Sequence, residues 1–322
     1  MFAGKKHGLP FGTYIRLEVR VCLGGREHIV QVEFCSPTQA EPEQSYPLPT
    51  LKYGAEPQSI MTTKPSNAPW ADEPFRLIPT PSNRPELENE KHSYVHVSSE
   101  MAHVHNVLIR GLNSIVQQAP YVKAPKDCRD LLSYVASWVK MVEHHHDTEE
   151  SFIFPEVEKF AGTTGLMDAP KHQHELFHDG LERLLKYAQS TQPERYKWEG
   201  RGGMKEIVDS FSKELMDHLY AEVDLFLSLK DLDSAGLRKT WDQGEAIAAR
   251  QTNFGLLTTV FPCVLGNADK TYEGGHEFPP LPRVLPYIVK YALGAGNGAW
   301  RFNSCDFFGR PRPLAFGPDQ KE

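Results

Sequence analysis

Five cysteines in 322 residues are an odd number, lie far apart and form no Cys-x-x-Cys pair. They offer neither a disulfide framework nor a thiolate cage for a metal, and read as reduced intracellular thiols. No apolar run approaches the roughly 18 to 20 residues of a membrane span. The opening Met1-Phe2-Ala3-Gly4-Lys5-Lys6-His7-Gly8 lacks the apolar stretch of a secretory signal. The expectation is therefore a cytoplasmic protein, with the nucleus as the other compartment these features allow. Long basic runs are missing too: 35 Lys and Arg stand against 42 Asp and Glu, a net charge of -7. Nucleic acid and anionic membrane are poor partners for such a surface. No internal repeat of solenoid period occurs. What remains, with 40% hydrophobic and 24% charged residues, is ordinary globular composition.

Histidine and proline are unevenly spread, and together they divide the chain. Nine of 14 His lie between His103 and His218, whereas 11 of 25 Pro fall between residues 36 and 95 and eight follow residue 254. Proline breaks helices and sheets, so the Pro-poor middle, 98–252, is the folded helical domain. Ahead of it, Tyr14 to Val21 and Ile29 to Phe34 alternate apolar and polar residues around Gly24-Gly25, predicting a β-hairpin within 1–35. Residues 36–97 read as a Pro-rich extended segment. The stretch 253–322 mixes Pro and Gly with Trp300, Phe302, Phe307 and Phe308, and those rings call for burial on the helical body.

Within the middle, apolar residues recur at steps of four and three, the buried seam of a helix. The rows are Met101, His105, Leu108, Leu112, Ile115; then Leu131, Val135, Trp138, Val142, His145, Glu149, Phe152; then His174, His178, Leu181, Leu185; then Val208, Phe211, Leu215, His218, Glu222, Leu225, Leu229. Four helices with short connections give an antiparallel four-helix bundle. In each, His or Glu occupies positions where Leu is expected.

Burying five imidazoles and two carboxylates without partners costs several kcal/mol for the carboxylates alone, or forces them to protonate. A pair of metal ions removes that cost: neutral imidazoles donate lone pairs, and carboxylates supply charge and can bridge. A nitrogen and oxygen donor set without sulfur suits iron, manganese or zinc. His103, His144, His146 and His172 lie off the rows and read as surface residues or neighbours of the ligands. The run His144-His145-His146 does offer a second register, since His146 and Glu150 are also four apart. Val142 and Phe152 extend the His145/Glu149 row in both directions and favour it. Arg110 reads as one half of a salt bridge with a helix-face carboxylate. Pro155 removes a backbone bond to Ser151 and predicts a kink just past the site.

The set His105-Asn106-Val107-Leu108-Ile109-Arg110, His145-His146-Asp147-Thr148-Glu149-Glu150, His174-Glu175-Leu176-Phe177-His178 and His218-Leu219-Tyr220-Ala221-Glu222 resembles the hemerythrin-like, or HHE cation-binding, family over roughly residues 98 to 230. The resemblance implies a four-helix bundle around two non-heme iron ions, with one iron keeping an open position for a diatomic ligand. It makes His105, His145, His174, His178 and His218 nitrogen ligands and Glu149 and Glu222 bridging carboxylates. The fourth helix departs from the oxygen carriers of the family, whose His-x-x-x-x-Asp spacing falls here on Val223. It is similar instead to the broader group with His-x-x-x-Glu.

The reading that follows is a di-iron protein binding dioxygen or another small oxidant for sensing, buffering or iron handling, with zinc or manganese as the other metals the donors would accept. Its alternatives are a di-iron enzyme that reduces peroxide or nitric oxide or oxidises a small substrate, and a bundle holding metal for structure alone. A His-rich donor set favours binding over catalysis.

Overall fold

The computed structural model describes residues 14–23, 26–35, 70–250 and 253–318. The chain divides into two units, Met1–Met61 and Thr62–Glu322. In the first, β1 (Tyr14–Leu23) pairs antiparallel with β2 (Arg26–Cys35), in a register running from Tyr14 opposite Cys35 to Leu23 opposite Arg26. The expected Gly24-Gly25 turn and most of the Pro-rich segment, 36–69, lie outside the described residues.

The second unit is mainly helical. Its elements are α1 (Ser93–Gln118), α2 (Pro125–Thr148), a π-helical turn (Glu149–Ile153), α3 (Phe154–Ala161), α4 (Asp168–Ser190), α5 (Met204–Asp209), α6 (Ser212–Leu227), α7 (Ser234–Arg250), α8 (Phe254–Asn267) and α9 (Leu285–Ile288). No helix among the described residues is long and apolar enough to cross a membrane. The long helices α1, α2, α4 and α6 pack in a ring, α1 on α2 and α6, and α4 on α2 and α6. Two glycines set its closest approaches. A Cβ on Gly111 of α1 would sit 2.4 Å from the Trp138 ring of α2, and one on Gly180 of α4 would sit 2.4 Å from Phe211. With no Cβ at Gly111, Trp138 lies flat enough on α1 to donate its indole N–H to the Leu108 carbonyl at 2.9 Å.

The row Met101, His105, Leu108, Leu112, Ile115 is buried throughout, but α1 also buries its opposite face, including Asn106, Arg110 and Asn113. The flanks cover that face. The Asn106 amide exchanges two hydrogen bonds with Ile78, accepting from its N–H at 2.7 Å and donating to its carbonyl at 2.9 Å. One pitch-pair on, Asn113 accepts from the Phe75 N–H and donates to the Ala71 and Phe75 carbonyls. Seven residues apart on one helix face, the two amides stand in for a neighbouring strand and satisfy the extended backbone of 71–78. Arg110 bonds Asp72 at 3.0 Å, lies 3.5 Å from Asp269, and places its guanidinium over the Tyr272 ring. Its partners are therefore carboxylates of the two flanks, not of a helix face.

The C-terminal stretch closes the remaining side. Trp300 and Phe302 are buried in the same core as the four long helices, whereas Phe307 and Phe308 stay half-exposed. Phe302 stacks between Tyr134 and Phe316, and its carbonyl accepts from Ser114 and Gln118. Asn267, Tyr134 and Ser304 form a buried hydrogen-bonded group beside it.

Truncating a fully buried aromatic leaves a cavity that a packed core closes only in part. Phe302→Ala is expected to lower unfolding free energy by about 3 to 5 kcal/mol in a urea titration. Leu176→Ala, at a side chain 55% exposed, is expected to change it by less than about 0.5 kcal/mol. Equal effects would mean that the C-terminal stretch is not part of the core.

Candidate metal centre

Seven metal-ligating side chains converge inside the ring: His105 from α1, His145 and His146 from α2, Glu149 from the first position of the π turn, His174 from α4, and His218 and Glu222 from α6. They form two groups that share Glu149. One comprises His146, Glu149, His174 and His218, the other His105, His145, Glu149 and Glu222.

The expected ligand set and the observed cluster differ at one residue. His105, His145, Glu149, His174, His218 and Glu222 are brought together; His178 is not. Its side chain is 69% exposed, beside Asp179. The reason is the register of α4, whose buried residues are Pro170, His174, Phe177, Gly180, Leu181, Leu184 and Ala188. That seam steps from His174 by three to Phe177, so His178 falls on its outer edge and Leu184 replaces Leu185. His146, read from the sequence as off the seam, supplies the fifth imidazole. On α2 both Val135, Trp138, Val142, His145 and Val135, Val139, Val142, His146 are rows of four-and-three spacing, and Val139 is as buried as Trp138. That second row was legible in the sequence and marks a helix whose buried face is wide enough to present consecutive residues.

The π turn explains a further departure. Pro155 has no N–H to give the Ser151 carbonyl, and the Phe154 N–H reaches back five residues to the Glu149 carbonyl. One extra residue fits into the turn, so Ile153 and Phe154 point inward where unbroken α-helix would have placed Phe152. Such turns recur beside functional sites.

The rings are oriented from behind. His105 Nδ1 donates to the Leu219 carbonyl at 2.8 Å, His174 Nδ1 to Glu150 Oε1 at 2.5 Å, and His218 Nδ1 to Gln173 Oε1 at 3.2 Å. A neutral imidazole carries one hydrogen, so in all three rings Nε2 is left with a bare lone pair directed inward. Burial keeps them neutral: His105, His146 and His218 are held well below the usual 6.5, His145 is pushed down to about 3, and His174 is lowered despite its bond to Glu150.

Those lone pairs face one another and two carboxylates. His105 Nε2 lies 3.1 Å from His145 Nε2, and His174 Nε2 lies 3.2 Å from His218 Nε2. Glu149 reaches one ring of each group, His145 at 2.9 Å through Oε1 and His174 at 3.8 Å through Oε2. Glu222 Oε2 does the same, to His105 at 3.2 Å and His218 at 3.5 Å. At none of the four carboxylate oxygens, nor at His146 Nε2, is a hydrogen bond satisfied. Burial drives both carboxyls well above the ordinary range, with Glu150 adding to Glu149 and Glu149 adding to Glu222. Undonated carboxylate oxygens amid convergent lone pairs are destabilising by themselves and complementary to positive charge. The donor set fits two metal cations.

Comparison with known proteins agrees with this geometry. The family model for the hemerythrin HHE cation binding domain matches residues 96–229. Over 256 residues, 79% of this chain and 95% of the relative, the sequence is 36% identical to the dimeric xanthone biosynthesis cluster protein R11 of Cryptosporiopsis sp. (strain 8999). No solved structure matches the chain. A relative matched along nearly its whole length and a domain match that contains all seven convergent ligands place this metal-binding chain in the hemerythrin HHE cation-binding family.

Proposed function

We propose that the chain holds two non-heme iron ions and takes up dioxygen or another small oxidant for sensing, buffering or iron handling. In this reading α1, α2, α4 and α6 form the antiparallel bundle of the family. His146, His174 and His218 would hold one ion and His105 and His145 the other, with Glu149 and Glu222 as the carboxylates that would serve both. The observation that carries the proposal is the reach of each carboxylate to one imidazole of each group, with no donor to either. Iron bound there would supply a redox-active centre with a free coordination position. One group offers three imidazoles and the other, on the His105/His145 side, two. His145, 13% exposed, also has the most solvent-exposed side chain of the four ion-paired donors on that side and across from it, so small ligands would enter there.

A second reading, an enzyme that reduces peroxide or nitric oxide or oxidises a small organic substrate, draws on one observation: the relative's name assigns it to a xanthone biosynthesis cluster. The His-rich donor set, five imidazoles to two carboxylates, favours the first.

Admitting air to the anaerobically reduced, iron-loaded protein separates the readings. A charge-transfer band that appears and reverses on deoxygenation is the expected result. Irreversible loss of the band together with catalytic turnover of added peroxide would overturn it in favour of the enzyme.

His146→Ala is expected to retain no more than one of two metal ions by elemental analysis, while His178→Ala retains both. The reverse result would restore the register in which α4 supplies two ligands. Glu150→Gln keeps an acceptor for His174 but removes its charge. The expected effect is about ten- to a hundredfold weaker metal retention in a chelator competition, with helicity unchanged; retention equal to the parent would make that bond incidental.

A further inference from the structure

α1 has a second set of chemistry-bearing residues, on the face turned away from the metal centre. His96, Glu100 and His103 follow one another at four and three residues, so they share one stripe over about 10 Å of helix. They line a cleft of about 290 Å³ whose other walls are Ser82, Glu90, Lys91 and His92 before the helix and Gly274, Glu277 and Phe278 after it. All of those walls except the α1 stripe lie outside the residues matched by the family model, 96–229. The flanks therefore build a site that the bundle alone would not have.

Several lining groups are already committed. His92 accepts from the Tyr94 N–H and donates to the Leu232 carbonyl, and Ser99 accepts from the Ser82 N–H and donates to Val95. His103 and Glu100 are not. His103 is 8% exposed, yet no hydrogen bond among the described residues reaches its ring nitrogens or the Glu100 carboxylate. The charge around them is unbalanced. Glu277 and Glu245 both act on Glu100, and burial together with them raises it to about 7. Of the charged groups lining the cleft, Glu90, Glu100 and Glu277 outnumber Lys91, and Arg238, which also acts on Glu100, is engaged by Asp242. Arg110 is engaged by Asp72 and Asp269. In its neutral form the His103 ring offers one lone pair. Phe278 stacks on it at 5.5 Å and 28°, giving the cleft an aromatic wall.

We propose that this cleft binds a small organic cation bearing protonated amines, with Glu100 as its counter-charge, His103 as acceptor and Phe278 as the face over which the ammonium rests. A carboxylate beside an aromatic face is the chemistry that selects an ammonium group. A bare metal ion is the poorer fit, because side chains seven residues apart on a straight helix do not meet at a point. Among the described residues these three do not gather as metal donors do in the bundle.

The test uses the metal-loaded full chain and 1,5-diaminopentane as probe, with 1-pentanol as the uncharged control, followed by calorimetry. Saturable binding of the diamine but not the alcohol is expected, weakened at least tenfold in Glu100→Gln and in Phe278→Leu, with metal content and helicity at parent levels. Diamine binding no stronger than the alcohol, or equal in Glu100→Gln and parent, overturns the proposal. So does a divalent cation, Mn²⁺ or Zn²⁺, that binds in a Glu100-dependent way where the diamine does not.

Discussion

Two carboxylates with no hydrogen-bond donor, buried among imidazole lone pairs, are the constraint on which this fold rests. Glu149 and Glu222 sit at 1% exposure, where an isolated ionised carboxyl is strongly disfavoured. Each is placed between rings of different helices, so neither can find a partner by a rotamer change within its own helix. Positive charge shared between the two ring groups is what makes the arrangement favourable. Bundle and bound metal therefore stabilise each other, because the donors converge only in the folded ring.

That requirement also accounts for the wrappings. A four-helix ring needs each helix to bury one stripe, but α1 buries most of its circumference. Its outer face carries Asn106, Arg110 and Asn113, which would be solvated in a bare bundle and are instead satisfied by residues 71–78 and by Asp269. The flanks hold α1 from the side opposite the metal ligands, which fixes the helix that presents His105. They also leave a gap over His96, Glu100 and His103, so the same covering that steadies one site creates the other.

Periodicity made the four ligand helices legible, because one buried stripe per helix is all that spacing encodes, and six of the convergent ligands lie on those stripes. It failed where a residue's placement depends on more than one neighbour. α2 packs against α1, α4 and α8, so it has two valid inward rows, and the row through His145 concealed the row through His146. On α4, His178 obeys the four-residue rule but loses to Phe177, whose ring packs against His146, His174 and His218. The π turn was foreshadowed by Pro155 as a kink, but a kink does not reveal that the register slips by one residue. The roles of Asn106 and Asn113 had no periodic trace, since a buried amide acquires its meaning from the backbone it meets.

The hydrogen bonds behind the rings follow an order that links these elements. Glu150, next to ligand Glu149 on the α2 side, holds His174 of α4; Gln173, next to His174, holds His218 of α6; Leu219, next to His218, holds His105 of α1. Each of these three rings is thus oriented by the sequence neighbour of a donor on another helix. A helix that rotates displaces its own ligand and, in the same motion, the support of the next. The three supports also differ in kind: a carboxylate, a side-chain amide and a backbone carbonyl. Electron donation to the rings should fall in that order, since a charged acceptor polarises an N–H more than a neutral one. The charged support, on His174, therefore falls in the group with three imidazoles and the neutral backbone support, on His105, in the group with two.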